Sequence, residues 1–506
     1  MARYEYQKLP TTSSIRLLRI EKSSKPTGLQ IPPPEEPIRL ALSLSVFELD
    51  EAPDYDAVSY TWGDPTSPYS KFFRTNYNSA PSVEVEVNAQ SLLISQSVAT
   101  VLTRIYHADL EKNGCGAKSE YVWADGICIN QDDLDERASQ VAQMGSIYAE
   151  AANVLIWLGE VDEFTDDAMT ALEMIATIDP ARYSEVSMID WGARTTVLKD
   201  KGLVDWTSTW AHWLGLEVLL NRPWFTRVWV IQEAVVNDNN IILCGDKVLP
   251  WTLLAKSLDF LYSSTWGMAN YDDYYRKNCG CPSFPSNYVT VIWKEQPRWG
   301  GIAGFSRQAI LLQMLRRRWR NQQRRGVELE WILRSEVRSR YASDPRDKIY
   351  ALGGLVDKTS GPPLRRSAVL TPDYRLPTEI LFTRTTRMIL EANGDLEWLH
   401  QTQNIGRSTI PLLPSWVADY RISGLPTVGF SRLSKSSESF MAHGETAWQV
   451  SPASMDQTQL EVQGIAIDRV TRVPNFPKGR SKIENLSAMI QLAAHIRPIQ
   501  RLCAPR

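Results

Sequence analysis

Cysteine is scarce: Cys115, Cys128, Cys244, Cys279, Cys281 and Cys503 are the only six in 506 residues. That scatter excludes a disulfide framework and fits a reducing compartment. The close pair "CGC" at 279–281 lacks the second pair or nearby histidine of a zinc site, so no metal is expected. No run approaches the ~18 apolar residues of a membrane span, and "MARYEYQKLPTTSS" has no apolar signal core. A soluble, intracellular, cytoplasmic protein with no membrane partner is therefore expected. A formal net charge of −3 supplies no field that would draw the chain to nucleic acid. A Walker-type phosphate loop, an HExxH helix and a GxSxG elbow are all missing. The dinucleotide Gly-rich fingerprint is missing too, which argues against a Rossmann dehydrogenase.

What is abundant is aromatic: eighteen Trp and nineteen Tyr suggest large buried contacts or aromatic-lined pockets. A chain this long exceeds one hydrophobic core and predicts more than one domain. Residues 1–54 form a lead-in with short strands at "SIRLLRI" (14–20) and "IRLALSLSVFEL" (38–49) around the Pro-rich "IPPPEEP". Residues 55–265 alternate strand and helix signals, the pattern of a mainly parallel, helix-covered sheet. Strands are expected at 55–62, 121–130, 153–159 and 240–245, with a hairpin over 83–95 turning near Asn88. Ser95 is the expected N-cap of one helix, and Asp133 with Glu136 makes a capping-box-like start for another. Residues 266–305 read as a loop or linker, and 306–506 as a mostly helical region with some strands, one at "LEVQGIAIDRV" (460–470). No internal repeat is evident.

One stretch poses a chemical question. "RPWFTRVWVIQEA" (222–234) places Glu233 at the end of an aromatic and aliphatic run flanked by Arg222 and Arg227. A carboxylate among core residues is costly unless paired or used, so Glu233 either locks an arginine or does chemistry. Asp125 and "WGD" (62–64) follow apolar strands, where the carboxyl ends of a parallel sheet form a ligand crevice. Asp125 and Asp64 are pocket candidates on that rule and turn caps on the plainer one. Trp62, Trp123 and Trp157 fit core packing better than a stacking platform. Cys128 has no histidine close in sequence and reads as a buried structural thiol. Arg316, Arg317, Arg318, Arg320, Arg324 and Arg325 form a basic run, read as a solvated helix face rather than an acidic-partner site.

Three stretches together resemble the fungal heterokaryon incompatibility (HET) domain family. They are "YDAVSYTWGDP" (55–65), "VWADGICINQDDLDERASQVAQMGSIYAEAANVLIWLG" (122–159) and "NRPWFTRVWVIQEA" (221–234). Ala124 and Gly126 depart mildly from the pattern around Asp125. "DPRDKIYALGGL" and "LPSWVADY" resemble segments that commonly follow the domain. Members often continue past the position of the 460–470 strand, so an end at "RLCAPR" is read as a short member or a truncated gene model.

HET domains are regarded as distant relatives of the TIR fold, which implies a TIR-like α/β plan. Some TIR domains cleave NAD with a helical glutamate four residues after a tryptophan, the separation of Trp229 and Glu233. The resemblance therefore implies Glu233 as a catalytic residue stabilising an oxocarbenium-like sugar, with Tyr60, Trp62, Gly63, Asp64, Asp125 and Trp229 shaping the pocket. NAD would then be a substrate, and no cofactor is required. The function implied is an intracellular effector of fungal non-self recognition that triggers programmed cell death. Its partners would be another copy of itself and an unidentified incompatibility protein. Two other readings stay open: a non-catalytic self-associating signalling module with Glu233 structural, and a divergent relative regulating a biosynthetic cluster.

Overall fold

The computed structural model describes residues 2–23, 40–74, 77, 80, 83–108, 110, 115, 118–185, 202–203, 210–263, 307–356, 369–393, 397–402, 408–422 and 460. The chain divides into two compact units, Met1–Leu460 and Glu461–Arg506, and every described residue belongs to the first. The "CGC" pair, the 266–305 segment and the strand expected at 461–470 lie outside the described residues.

Nine strands form one sheet: β1 (Ser14–Ser23), β2 (Leu40–Glu48), β3 (Tyr55–Ser59), β4 (Val83–Val87), β5 (Gln90–Ile94), β6 (Tyr121–Trp123), β7 (Asn153–Trp157), β8 (Asn240–Cys244) and β9 (Lys247–Pro250). Their order is β5-β4-β2-β1-β6-β3-β7-β8-β9. The centre, β6-β3-β7-β8, is parallel throughout. Every residue of β3, β7 and β8 is buried, as expected of parallel strands covered on both faces. The sheet is nonetheless mixed rather than mainly parallel. β1 runs antiparallel to both β2 and β6, and hairpins β4–β5 and β8–β9 add antiparallel pairs at each side. The stretch read as a lead-in thus supplies two interior strands. Local alternation marks a strand but carries no record of its neighbour, so this insertion could not be read from the pattern.

Turn and cap chemistry explains many of the boundaries. Asn88 and Ala89 take φ of 49° and 62° between β4 and β5, the mirror-turn geometry that matches strand twist in a two-residue hairpin. Asn88 also bonds Leu44 in both directions, through Oδ1 to its N–H and Nδ2 to its carbonyl, each at 3.0 Å. The Ser95 hydroxyl caps α1 (Gln96–His107). β6 is shorter than the sequence suggests. It stops at Trp123, where the Ala124 carbonyl accepts from Ile127 and Cys128 and winds α2 (Asp125–Cys128). Asp133 caps α3 (Leu134–Glu150), but Glu136 does not complete a capping box. Its carboxylate instead pairs at 2.5 Å with buried Arg16 of β1 and accepts from the Asn130 N–H.

Further along are α4 (Thr165–Ala176), α5 (Trp210–Leu220), α6 (Val230–Val235), α7 (Trp251–Ser263) and α8 (Arg307–Asn321). After them come α9 (Leu329–Ile332), α10 (Asp347–Tyr350) and α11 (Thr378–Asn393). Trp123, Trp157 and Trp224 are fully buried in a continuous core that includes Ile332 and Leu390 of the C-terminal helices and Leu352 just after α10. The basic run on and just after α8 is solvated, as expected, except at Arg316. Arg317, Arg318, Arg320 and Arg324 pair with Asp259, Glu328 and Asp238, and buried Arg316 lies over the Trp251 ring and donates to the Asn237 carbonyl. No helix among the described residues is long and apolar enough to cross a membrane.

Two contacts tie the later part of the chain to elements that flank the sheet. The Tyr341 carbonyl accepts from the Val228 N–H at 2.9 Å, and the Tyr341 N–H donates to Thr226 at 2.5 Å, a parallel bridge just upstream of α6. Gly145 of α3 meets Gly354 so closely that a Cβ on either would lie 2.8 Å from the other's Cα. Gln232 fills the same junction, its Oε1 accepting from the Gly354 N–H at 3.1 Å. At the far rim, Ala2 and Tyr4 bond the backbone of Ser91 and cover the outer edge of β5.

Candidate functional site

Beyond the carboxyl ends of the neighbouring parallel strands β3 and β6 lies a cavity of about 380 Å³. The position is the one where open α/β sheets place ligands. The turn after β3 supplies Trp62 and Gly63, and the start of α2 supplies Asp125. The Trp62 indole N–H donates to Asp125 Oδ2 at 3.2 Å, while Oδ1 accepts from the Gly126 N–H at 2.7 Å. Asp125 therefore both closes its own turn and fixes the indole at the cavity rim. Trp62 is 42% exposed, so the core role expected for it holds for Trp123 and Trp157 but not for Trp62. A Cβ built on Gly63 meets nothing within 4 Å, so the chain's own packing does not demand glycine there.

Tyr60 and Asp64 stand outside the cavity lining. Tyr60 is buried, its hydroxyl bonded to the Asp125 carboxylate, and burial pushes that hydroxyl's pKa well above its ordinary value. Asp64 accepts from the Thr66 and Arg74 N–H groups, both at 2.8 Å, which is the loop-capping job of an aspartate in a turn. Cys128 is buried against the Ala124 N–H, and burial pushes its thiol up to about 12, the behaviour of an inert structural thiol.

Trp229 lines the cavity and Glu233 does not. The Glu233 N–H closes a helical bond on the Trp229 carbonyl at 3.1 Å, yet the two side chains face different partners. Glu233 is 2% exposed. Its Oε2 accepts from the Ser59 hydroxyl at the end of β3 and lies 3.4 Å from Arg227 Nη1. The Trp224 indole in turn donates to Ser59 Oγ at 2.7 Å, and Arg227 also donates to the Tyr60 carbonyl. Burial pushes the Glu233 carboxyl up, and Arg227 and Ser59 oppose that shift. Trp224, Arg227 and Glu233 thus clamp α6 to β3. Arg222 takes no part: it is buried against Asp162 at 2.8 Å and the carbonyls of Leu158 and Glu160.

The opposite wall comes from the turns that precede two C-terminal helices and from the first residue of α10, and it was not anticipated as part of the site. It contains Tyr341, Ser343, Asp344, Asp347 and Tyr374. Asp347 accepts from the Trp229 indole at 3.2 Å and from the Tyr374 hydroxyl at 2.9 Å. Burial pushes its pKa up to about 6. Asp344 accepts from the Arg346 backbone N–H at 2.9 Å and pairs with its guanidinium at 2.7 Å. From α3, Arg137 lies over the Tyr374 ring at 4.1 Å. The available sequence signal for this wall was "SDPRDKIYALGG", with its acidic, proline-containing helix start. No group of three or more His, Cys, Asp or Glu able to hold a metal occurs among the described residues.

Residues 55–233 match the family model described as heterokaryon incompatibility protein (HET). Over 461 residues the chain is 26% identical to heterokaryon incompatibility protein 6, OR allele, of Neurospora crassa. That alignment covers 83% of this chain and 60% of the relative, so the chain spans less than two thirds of the curated protein it matches. No solved structure matches the chain.

Proposed function

We propose, from the match of residues 55–233 to the HET family model, that the chain acts in fungal non-self recognition, as a cytoplasmic effector of heterokaryon incompatibility that leads to cell death. The domain works as a non-catalytic signalling module in this reading, joining other copies or an incompatibility partner, and Glu233 is structural. One observation carries it. The carboxylate is sealed against Ser59 and Arg227 and is absent from the cavity lining, so no sugar reaches its oxygens in this arrangement.

The test has two readouts. Purified protein incubated with NAD over a range of concentrations is expected to release no nicotinamide. Heterokaryons between a strain expressing the chain and one lacking it are expected to grow poorly. Nicotinamide release that Glu233→Gln abolishes in a folded protein would overturn the non-catalytic reading. Normal growth of such heterokaryons would overturn the incompatibility role.

NAD cleavage on a TIR-like plan is the second reading, favoured by the indoles of Trp62 and Trp229 in a hollow that Arg227 shares. It requires Arg227 to leave Glu233 when substrate enters, because only then does the acid meet the ligand.

A further inference from the structure

The polar groups around the cavity are almost all engaged within the protein. Asp125 is held by Trp62 and Gly126, Asp344 by Arg346, Asp347 by Trp229 and Tyr374, and Arg227 by Glu233 and the Tyr60 carbonyl. Arg137 differs in that its partner is the uncharged hydroxyl of Tyr374 rather than a carboxylate. It is half-buried and packed on the Tyr374 ring, and no carboxylate lies within 4.0 Å of it among the described residues. It also stands where the cavity meets a second hollow of about 510 Å³, and Trp62 lines both spaces with it. A guanidinium is a planar fork of donors suited to phosphate or carboxylate oxygens. Stacked on an aromatic ring, it has little freedom left to lose when an anion arrives. An exposed indole fixed through its N–H offers a flat apolar face to a ring. The volume of about 380 Å³ lies in the roughly 300–1,000 Å³ range of small-molecule sites.

We propose that this cavity binds a small organic anion that joins a planar ring to a phosphate or carboxylate, with Arg137 holding the anion and Trp62 the ring. Asp344 and Asp347 are the nearest opposing charges. Arg346 offsets the first, and the second stays buried behind two donors. The site needs the C-terminal wall as well as the HET domain, and it depends neither on the incompatibility role nor on whether any bond is cleaved.

Calorimetric titration of the full chain tests this with two matched pairs, AMP against adenosine and indole-3-acetate against indole-3-acetamide. At least one anion is expected to bind tenfold or more tighter than its neutral partner, and which one does so separates phosphate from carboxylate. Arg137→Gln should erase that preference while leaving the neutral compound's affinity unchanged, and Arg137→Lys should restore part of it. Trp62→Ala should weaken both members of the pair alike. The proposal is overturned if neither anion is preferred, or if the preference survives in Arg137→Gln. A variant that merely unfolds loses the anion and its neutral partner together, so the ratio distinguishes binding from folding.

Discussion

Trp229 donates its indole N–H to Asp347 across 118 residues of sequence, 3.2 Å from donor to acceptor. The bond joins the start of α6, where the match to the HET family model ends, to the first turn of α10. Both residues line the cavity, so the contact that docks the C-terminal helices also builds the site.

That carboxyl makes stability depend on pH. Burial raises Asp347 from 3.8 to about 6, so the folded state holds its proton more tightly than the unfolded chain does. Its contribution is fully present below 3.8 and is lost as pH rises through about 6. Asp347→Asn removes this loss. Urea unfolding should show the variant gaining on the parent between pH 4 and 7 by up to about 3 kcal/mol, at about 1.36 kcal/mol per pH unit. Parallel pH profiles for the two proteins would rule the mechanism out.

The glycine junction has no room to spare. Gly145→Ala or Gly354→Ala puts a methyl 2.8 Å from backbone on the other side, which a rotamer change cannot relieve. Each is expected to cost about 1–3 kcal/mol in thermal or urea unfolding. A double variant should cost less than the sum of the two, since one displacement accommodates both.

Arg16 of β1 is 1% exposed, and Glu136 is its only carboxylate partner among the described residues. Removing that partner leaves a buried cation with only the Gln7 and Cys128 carbonyls and the Tyr6 ring beside it among the described residues. Glu136→Ala should therefore destabilise by about 3–5 kcal/mol. Arg16→Met with Glu136→Leu should recover most of the loss, and an unrepaired double variant would refute the pairing as its cause.

Ala89 sits at φ 62°, a conformation costly for a side chain and free for glycine. Ala89→Gly creates the Asn-Gly pair preferred in this turn. An increase of about 0.5–1 kcal/mol in unfolding free energy is expected. A decrease would show that chain entropy outweighs the relieved strain.

Local chemistry was legible in the sequence where one residue satisfies its neighbours' backbone, as Ser95 and Asp133 do, and where a hairpin turn needs positive φ, as at Asn88. The meeting of Trp62 with Asp125 was legible through a rule about strand ends, since both follow parallel neighbours. The Glu233 question had a chemical answer among the weighed alternatives, Arg227, but Ser59 lay 174 residues away and gave no local sign. The second wall of the cavity was illegible for the same reason. Tyr341, Asp347 and Tyr374 carry ordinary helix-start and loop signals, and only the tertiary fold turns them toward Trp229.

The strand of residues laid along β5 bears on how copies of the chain could associate. Ala2 and Tyr4 already occupy the hydrogen-bonding groups of Ser91, and the opposite margin, β9, is four residues long with Lys247 at one end and Pro250 at the other. Neither border is a ready template for ribbon extension. Assemblies of this protein are thus expected to grow through helical and loop faces, with each subunit's sheet left finite.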